Sequence, residues 1–221
     1  MDLIRINGIG ILVEEAECYI QINDISEDDL TKVWPAIKGQ YTGFELCLCF
    51  RDVPIPTNAL AEIGAEVLED CVKTEVTLPG YKPHNALGTM PLEKSGFAEF
   101  AALHDATHPA PDMYWTSQRI INKWDIWRIF VLLEDGMITG YTMMMTPLRD
   151  DCTHGEIFAL EAKSSAQRKA LLSAAVNCAF VMGRSEVINM VERHNTREYE
   201  ESSAVGFREA GYYVGYRVGK I

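Results

Sequence analysis

No run of about 18 apolar residues occurs in this sequence, so it carries no candidate membrane-spanning helix. Basic side chains are also scarce, 20 Lys and Arg against 32 Asp and Glu, for a net charge of −12. Such a chain offers few cations to phosphate backbones or anionic lipid, so neither nucleic acid nor membrane is expected as a partner. The six cysteines form no CxxC pair; they read as free, mostly buried thiols of a cytosolic protein. The opening residues Met1-Asp2-Leu3-Ile4-Arg5 lack the basic region, apolar core and small-residue cleavage site of a secretory signal, and a cytoplasmic location is expected.

What is present describes a folded chain. Apolar residues make up 48% of the 221 positions, enough for one large or two small domains. Acidity is concentrated early: residues 1–85 hold 15 acids and 6 bases, residues 86–221 hold 17 and 14. It either attracts a cationic acceptor, such as an amine, or serves solubility alone.

In the first part, Ile-, Val- and Tyr-rich segments predict strands at 2–6 and 9–22. Ser26 can cap a helix with Asp29 at its third position, ending near Pro35. A strand is expected at 44–50, with Cys47 and Cys49 on one face. Leu60, Ile63, Val67, Leu68 and Cys71 suggest a helix from Thr57 to about residue 72. The turn-rich stretch 78–85 is the expected boundary between a small α/β domain (1–85) and a second domain (86–221). No internal repeat is evident between them.

The second part reads as strand (87–92), helix (94–104) and helix (116–127). A hairpin follows, with strands at 128–133 and 137–145 around Glu134-Asp135-Gly136. Then come a strand (155–160), an amphipathic helix (166–182), a strand (186–192), a helix (196–203) and a strand (212–218). The order β-α-α-β-β-β-α-β-α-β predicts an α/β fold of mixed α+β type, with a mixed central sheet flanked by helices.

Near the end, Asn195 follows a strand, and Gly206 and Phe207 lie eleven and twelve residues beyond it. With the element order, this spacing resembles the Gcn5-related N-acetyltransferase (GNAT) family. The resemblance covers residues 86–221 and implies acetyl-CoA as co-substrate and the primary amine of a small-molecule or amino-acid-like compound as acceptor. In that family a glycine-rich loop brings backbone amides and a helix N-terminus to the CoA pyrophosphate. Here the corresponding loop is Lys163-Ser164-Ser165-Ala166-Gln167-Arg168, followed by Lys169, without glycine but with three cations. These residues and Asn195 are the implied cofactor contacts. Backbone amides of Phe158, Ala159 and Leu160 are the implied donors to the pantetheine arm and thioester carbonyl.

The resemblance also implies a carboxylate base on the strand before the loop, where Glu156 stands. Strand alternation puts Glu156 on one face with Phe158 and Leu160, apolar surroundings that would raise its pKa. The family's usual tyrosine acid falls on Ser202, with Tyr199 three residues earlier. The competing reading is a catalytically silent module that binds an acyl-CoA or a partner. His104 and His108 have a metal-compatible spacing, with Cys152 and His154 available, but no Glu beside the first His; no metal is assigned. Met113-Tyr114-Trp115, Trp124 and Trp127 read as core, with a pocket wall favouring a flat or cationic acceptor as the alternative; Met143-Met144-Met145 read as strand core. The oligomeric state stays open, a homodimer included.

Overall fold

The computed structural model describes residues 1–85, 88–109, 113–146 and 153–221. Its chain forms two compact units, Met1–Lys73 with Gly211–Ile221, and Thr74–Ala210. The changeover thus lies at residue 73, and the final strand returns to the first unit. The expected boundary stretch is held within the second unit: the Lys82 amide donates to the Val205 carbonyl at 2.8 Å, and the Tyr81 hydroxyl to the Ser173 carbonyl at 3.1 Å. Cys152 and part of the strand expected at 87–92 fall outside the described residues.

In the first unit, β1 (Asp2–Ile6), β2 (Ile9–Glu14) and β3 (Tyr19–Asn23) form an antiparallel meander. The long strand expected at 9–22 is therefore two, parted by a turn at Glu15–Glu17. Helix α1 (Glu27–Gln40) crosses to β4 (Glu45–Arg51), parallel to β3. Ser26 caps α1 as expected, its Oγ accepting from the Asp29 amide. The helix does not stop at Pro35; it continues to Gln40 with the proline inside. Leu30, Val33 and Ile37 are buried against Leu46, Leu48 and Phe50, and this burial outweighs the lost backbone hydrogen bond.

The helix expected over 57–72 is also corrected. Helix α2 spans only Thr57–Glu62 and gives way past Gly64, at φ +71°. Strand β5 (Glu66–Thr77) follows, its Val72–Thr77 portion alternating as strands do. Strand β11 (Arg208–Lys220) lies between β4 and β5, antiparallel to β4. Cys47 and Cys49 are buried on one face of β4, their sulfurs 3.9 Å apart.

The second unit follows the expected element order. Strand β6 (Thr89–Pro91) precedes α3 (Phe97–Thr107) and α4 (Ser117–Asn122). Strands β7 (Trp127–Glu134), β8 (Met137–Met145) and β9 (His154–Glu161) form an antiparallel run. Helix α5 (Ser165–Val181) crosses to β10 (Glu186–Glu192), parallel to β9. Helix α6 (Thr196–Val205) leads into β11. The strand order is β5-β10-β9-β8-β7-β6. Leu171, Leu172, Ala175, Val176 and Ala179 of α5 are buried on one face of this sheet. Phe100, Ile120, Trp127, Tyr141 and Met143 form the core on the other.

The two parts repeat one element order. β1-β2-β3-α1-β4-α2-β5 matches β7-β8-β9-α5-β10-α6-β11, with the parallel pair joined by a helix in each. The sequence shows no such repeat because it lies in topology rather than in residue identities.

Candidate functional site

Strand β9 departs from regularity where an extended ligand would need it to. In its ladder with β8, Met143 faces Ala159 while Met144 faces Ile157, so Phe158 faces no residue of β8. This is a β-bulge. On its other side, the ladder with β10 runs from Glu186–His154 to Asn189–Ile157, and residues 158–161 of β9 lie beyond it. The two parallel strands pair at their beginnings and part toward their carboxyl ends. Phe158 therefore stands opposite no partner on either neighbour, and the backbone beyond it is released from the sheet on its β10 side.

The bulge also reassigns faces. Ile157 and Leu160 pack with α5, while Phe158 and Ala159 both turn toward the α3 side. Glu156 shares its face with Phe158, as expected, but not with Leu160; the inserted residue reverses the alternation. Glu156 is buried, and on that face Phe158 meets Trp115 and Trp127 edge-on at 6.4 and 5.5 Å.

The loop after β9 turns into α5 at Ser164, whose Oγ accepts from the Gln167 amide at 3.3 Å. The Gln167 side chain accepts from the Lys163 amide at 3.0 Å. Helix geometry leaves the amides of Ser165 and Ala166 without intrahelical acceptors, at the positive end of the α5 dipole. Lys163 pairs with Glu134 at 3.1 Å on the surface, and Lys169 is half-buried in the first turn.

Arg168 links the end of β9 to α6. Its Nη1 is 2.6 Å from Glu198 Oε1, its Nε 3.1 Å from Glu201 Oε2, and its Nη2 donates to the Leu160 carbonyl at 3.4 Å. That carbonyl belongs to the stretch of β9 beyond its ladder with β10. Asn195 caps α6: its Oδ1 accepts from the Glu198 amide, and its Nδ2 donates to Glu198 Oε2 at 2.9 Å. Burial raises the Glu198 pKa above the usual carboxylate range, against the opposing pull of Arg168.

Ser202 is buried, and its hydroxyl accepts from the Asn189 side chain at 3.1 Å. The structure thus joins Leu160, Arg168 and Asn195 at one end of β9, places Glu156 on its α3 face, and sets Ser202 under β10. Glu198, Glu201 and Asn189 were missed from sequence. Asn195-x-x-Glu198 is readable as a capping box; the arginine it presents a carboxylate to comes from another helix and left no local signal.

The Asn195–Gly206–Phe207 spacing has a structural cause. Gly206 ends α6 at φ +108°, and a Cβ there would meet the Gly80 carbonyl oxygen at 2.2 Å. Phe207 is buried with α5 and β9. The cleft of about 280 Å³ lined by Lys82, Tyr199, Ser203, Arg208 and Glu209 lies at this end of α6, away from Arg168.

His104 holds both ring nitrogens in hydrogen bonds. Nε2 is 2.7 Å from the Trp115 carbonyl, so it carries the proton, and Nδ1 accepts from Tyr141 at 2.8 Å. Burial lowers its pKa. His108 lies 3.2 Å from Glu161, and this close contact depresses the Glu161 pKa. Among the described residues no group of three or more His, Cys, Asp or Glu side chains could hold a metal ion.

No protein-family model and no curated protein matches the chain. Solved structures do. A GCN5-related N-acetyltransferase from Kribbella flavida matches 98% of this chain and 89% of its own at 12% identity, TM-score 0.68. The chain has the fold of the Gcn5-related N-acetyltransferases. The tandem GNAT protein from the clavulanic acid biosynthesis pathway aligns with 98% of this chain and 81% of its own, at 12% identity and TM-score 0.62. A conserved protein of unknown function from Staphylococcus epidermidis aligns with 100% and 94%, at 11% identity and TM-score 0.68. At such identities the likeness is one of fold, and in this Gcn5-related fold the bulged, parted β9 is the feature that bears on chemistry.

Proposed function

We propose that the second unit is an N-acyltransferase that takes an acetyl group from acetyl-CoA to the primary amine of a small, amino-acid-like acceptor. The observation that carries this reading is the parted end of β9. A bulge on one side and a lost ladder on the other leave an extended backbone edge, and the pantetheine arm is assigned to that edge. Backbone groups of Phe158, Ala159 and Leu160 line that edge, and the first amides of α5 stand beyond it for the pyrophosphate.

Transfer needs a free amine, a polarised carbonyl and a departing thiolate. Glu156 is assigned the proton from the attacking ammonium, and a β9 amide at the bulge polarises the thioester. The Ser202 hydroxyl is engaged by Asn189, so its position in the family acid's place is read as one that braces β10 against α6. A thiolate, the conjugate base of a thiol far more acidic than an alcohol, leaves without a protein acid far more readily than an alkoxide. Trp115 and Phe158, half-buried on the face that carries Glu156, suit a cationic acceptor. The first unit is read as a degenerate half of the same fold. Its β3–α1 turn carries Asp24 and the first turn of α1 carries Glu27, Asp28 and Asp29, which would repel phosphate.

One observation favours the silent alternative: Arg168 already has carboxylate partners on α6. Calorimetric titration with acetyl-CoA, followed by thiol release over a panel of amines, separates the readings. Binding with turnover supports the transferase, binding without turnover the silent module, and no binding at millimolar cofactor removes both cofactor-based readings, leaving a partner-binding module. Glu156→Gln should bind acetyl-CoA normally and lose at least about a hundredfold in kcat; an unchanged rate removes Glu156 as the base.

A further inference from the structure

Arg168 occupies the position where a bulky side chain is least expected in a phosphate-binding loop, and it is neither exposed nor idle. Its side chain is 18% exposed, and it spans from α5 to two carboxylates of α6 that are 19% and 5% exposed. A guanidinium at the start of a helix opposes the helix dipole, so its placement is held by those carboxylates and by the Leu160 carbonyl. The holding is uneven. Glu198 meets it at 2.6 Å, while Glu201 Oε2 is close at 3.1 Å but off the N–H axis, leaving that buried oxygen without a well-aligned donor.

We propose that Arg168 is the anion receptor of this cleft in a self-blocked state, with Glu198 and Glu201 as built-in competitors that a pyrophosphate-bearing ligand must displace. The proposal rests on the acyl-CoA reading for the ligand's identity, but its geometry concerns any pyrophosphate. Each carboxylate keeps one donor after the exchange. On release, Glu198 keeps the Asn195 Nδ2 donor at 2.9 Å, and Glu201 keeps Arg197 Nε at 2.9 Å. Arg168 in turn gains a planar, bidentate match to phosphate oxygens beside the open amides of Ser165 and Ala166. The arriving negative charge also reverses the conflict between Arg168 and the α5 dipole. A ligand without a pyrophosphate lacks the charge to make the exchange, so the carboxylates act as a filter as well as a brake. Glu198 and Glu201 are thereby specificity-determining residues.

The test is calorimetric titration of inorganic pyrophosphate and, separately, acetyl-CoA into the whole chain as wild type, E198Q, E201Q and R168Q. Melting curves confirm that each variant is folded. E198Q keeps the side-chain shape and the Asn195 contact while removing the competing charge, and it should bind pyrophosphate about tenfold more tightly than wild type. E201Q should show a smaller gain in the same direction, and it supplies the comparison if E198Q folds poorly. R168Q should lose at least about tenfold. Equal pyrophosphate affinity in wild type, E198Q and E201Q, or undiminished affinity in R168Q, overturns the proposal. If acetyl-CoA binds wild type and E198Q alike, the gate falls while the acyl-CoA reading stands. If pyrophosphate follows the expected order and acetyl-CoA binds no form, the gate stands and the acyl-CoA reading falls.

Discussion

Gly206 shows how one residue carries a recognisable spacing for a steric reason. Its left-handed backbone and the Gly80 carbonyl at 2.2 Å from any added Cβ leave room for hydrogen alone. Gly206→Ala should lower stability by about 2–3 kcal/mol in urea unfolding, through strain rather than lost contacts. His104 makes a second residue-scale case. Its folded pKa is depressed chiefly by burial, so near pH 6 the unfolded chain binds a proton that the folded chain refuses. The corresponding stability is present above the unfolded value of about 6.5 and is lost as pH falls through the folded one. Urea midpoints should therefore drop between about pH 7.5 and 5.5 in wild type and fall less steeply in His104→Gln. Both side chains were visible in the sequence as glycine-after-helix and histidine-in-helix. That His104 is sealed between Tyr141 and Trp115 was not, because those partners come from β8 and from a loop whose path after α3 no local pattern fixes.

At the scale of elements, capping and period were readable, and packing overrode them where they failed. Ser26 and Ser164 start α1 and α5 as their sequences announce. Ser164→Ala should cost about 1 kcal/mol by removing the acceptor for the Gln167 amide, measurable by chemical unfolding. Pro35 announces a stop that does not occur, since three buried apolar side chains on one face hold α1 together beyond it. Pro35→Ala should restore a backbone hydrogen bond. It should raise stability by about 1–2 kcal/mol, the helix gain being offset in part by a freer unfolded chain. The misread helix at 57–72 has a related cause. Its apolar positions fit both periods over a short window, and Gly64 and the long-range pairing of β5 decided for strand. The bulge at Phe158 left no signature at all, because it exists only as a mismatch of register between two strands.

For the whole molecule, the repeated β-β-β-α-β-α-β order explains why so acidic and apparently unrelated a first part accompanies the acetyltransferase-like second. Each unit keeps the parallel pair and its crossover helix, yet the first helix start carries Glu27, Asp28 and Asp29 while the second carries Arg168 and Lys169. Ligand binding should therefore be single. Acetyl-CoA at a hundred times its Kd should stabilise the chain by about 2.7 kcal/mol, and calorimetry should return one site per chain. A second site of similar affinity would contradict the degenerate reading of the first unit.

The sequence by itself determined whatever depends on neighbours along the chain: helix caps, strand alternation, the mixed order of the second unit, the charge balance, and the spacing that resembles a known family. Those features are local, with each conformational preference carried by a few adjacent residues. Only the tertiary structure decided the parting of β9 from β10, the reversal of faces at Phe158, and the capture of Arg168 by Glu198 and Glu201. Each of these joins segments far apart in sequence, where pairing depends on which surfaces the finished fold brings within a few ångströms. The loop that looked like a glycine-free phosphate site is better described as an arginine held in check by two carboxylates of the next helix.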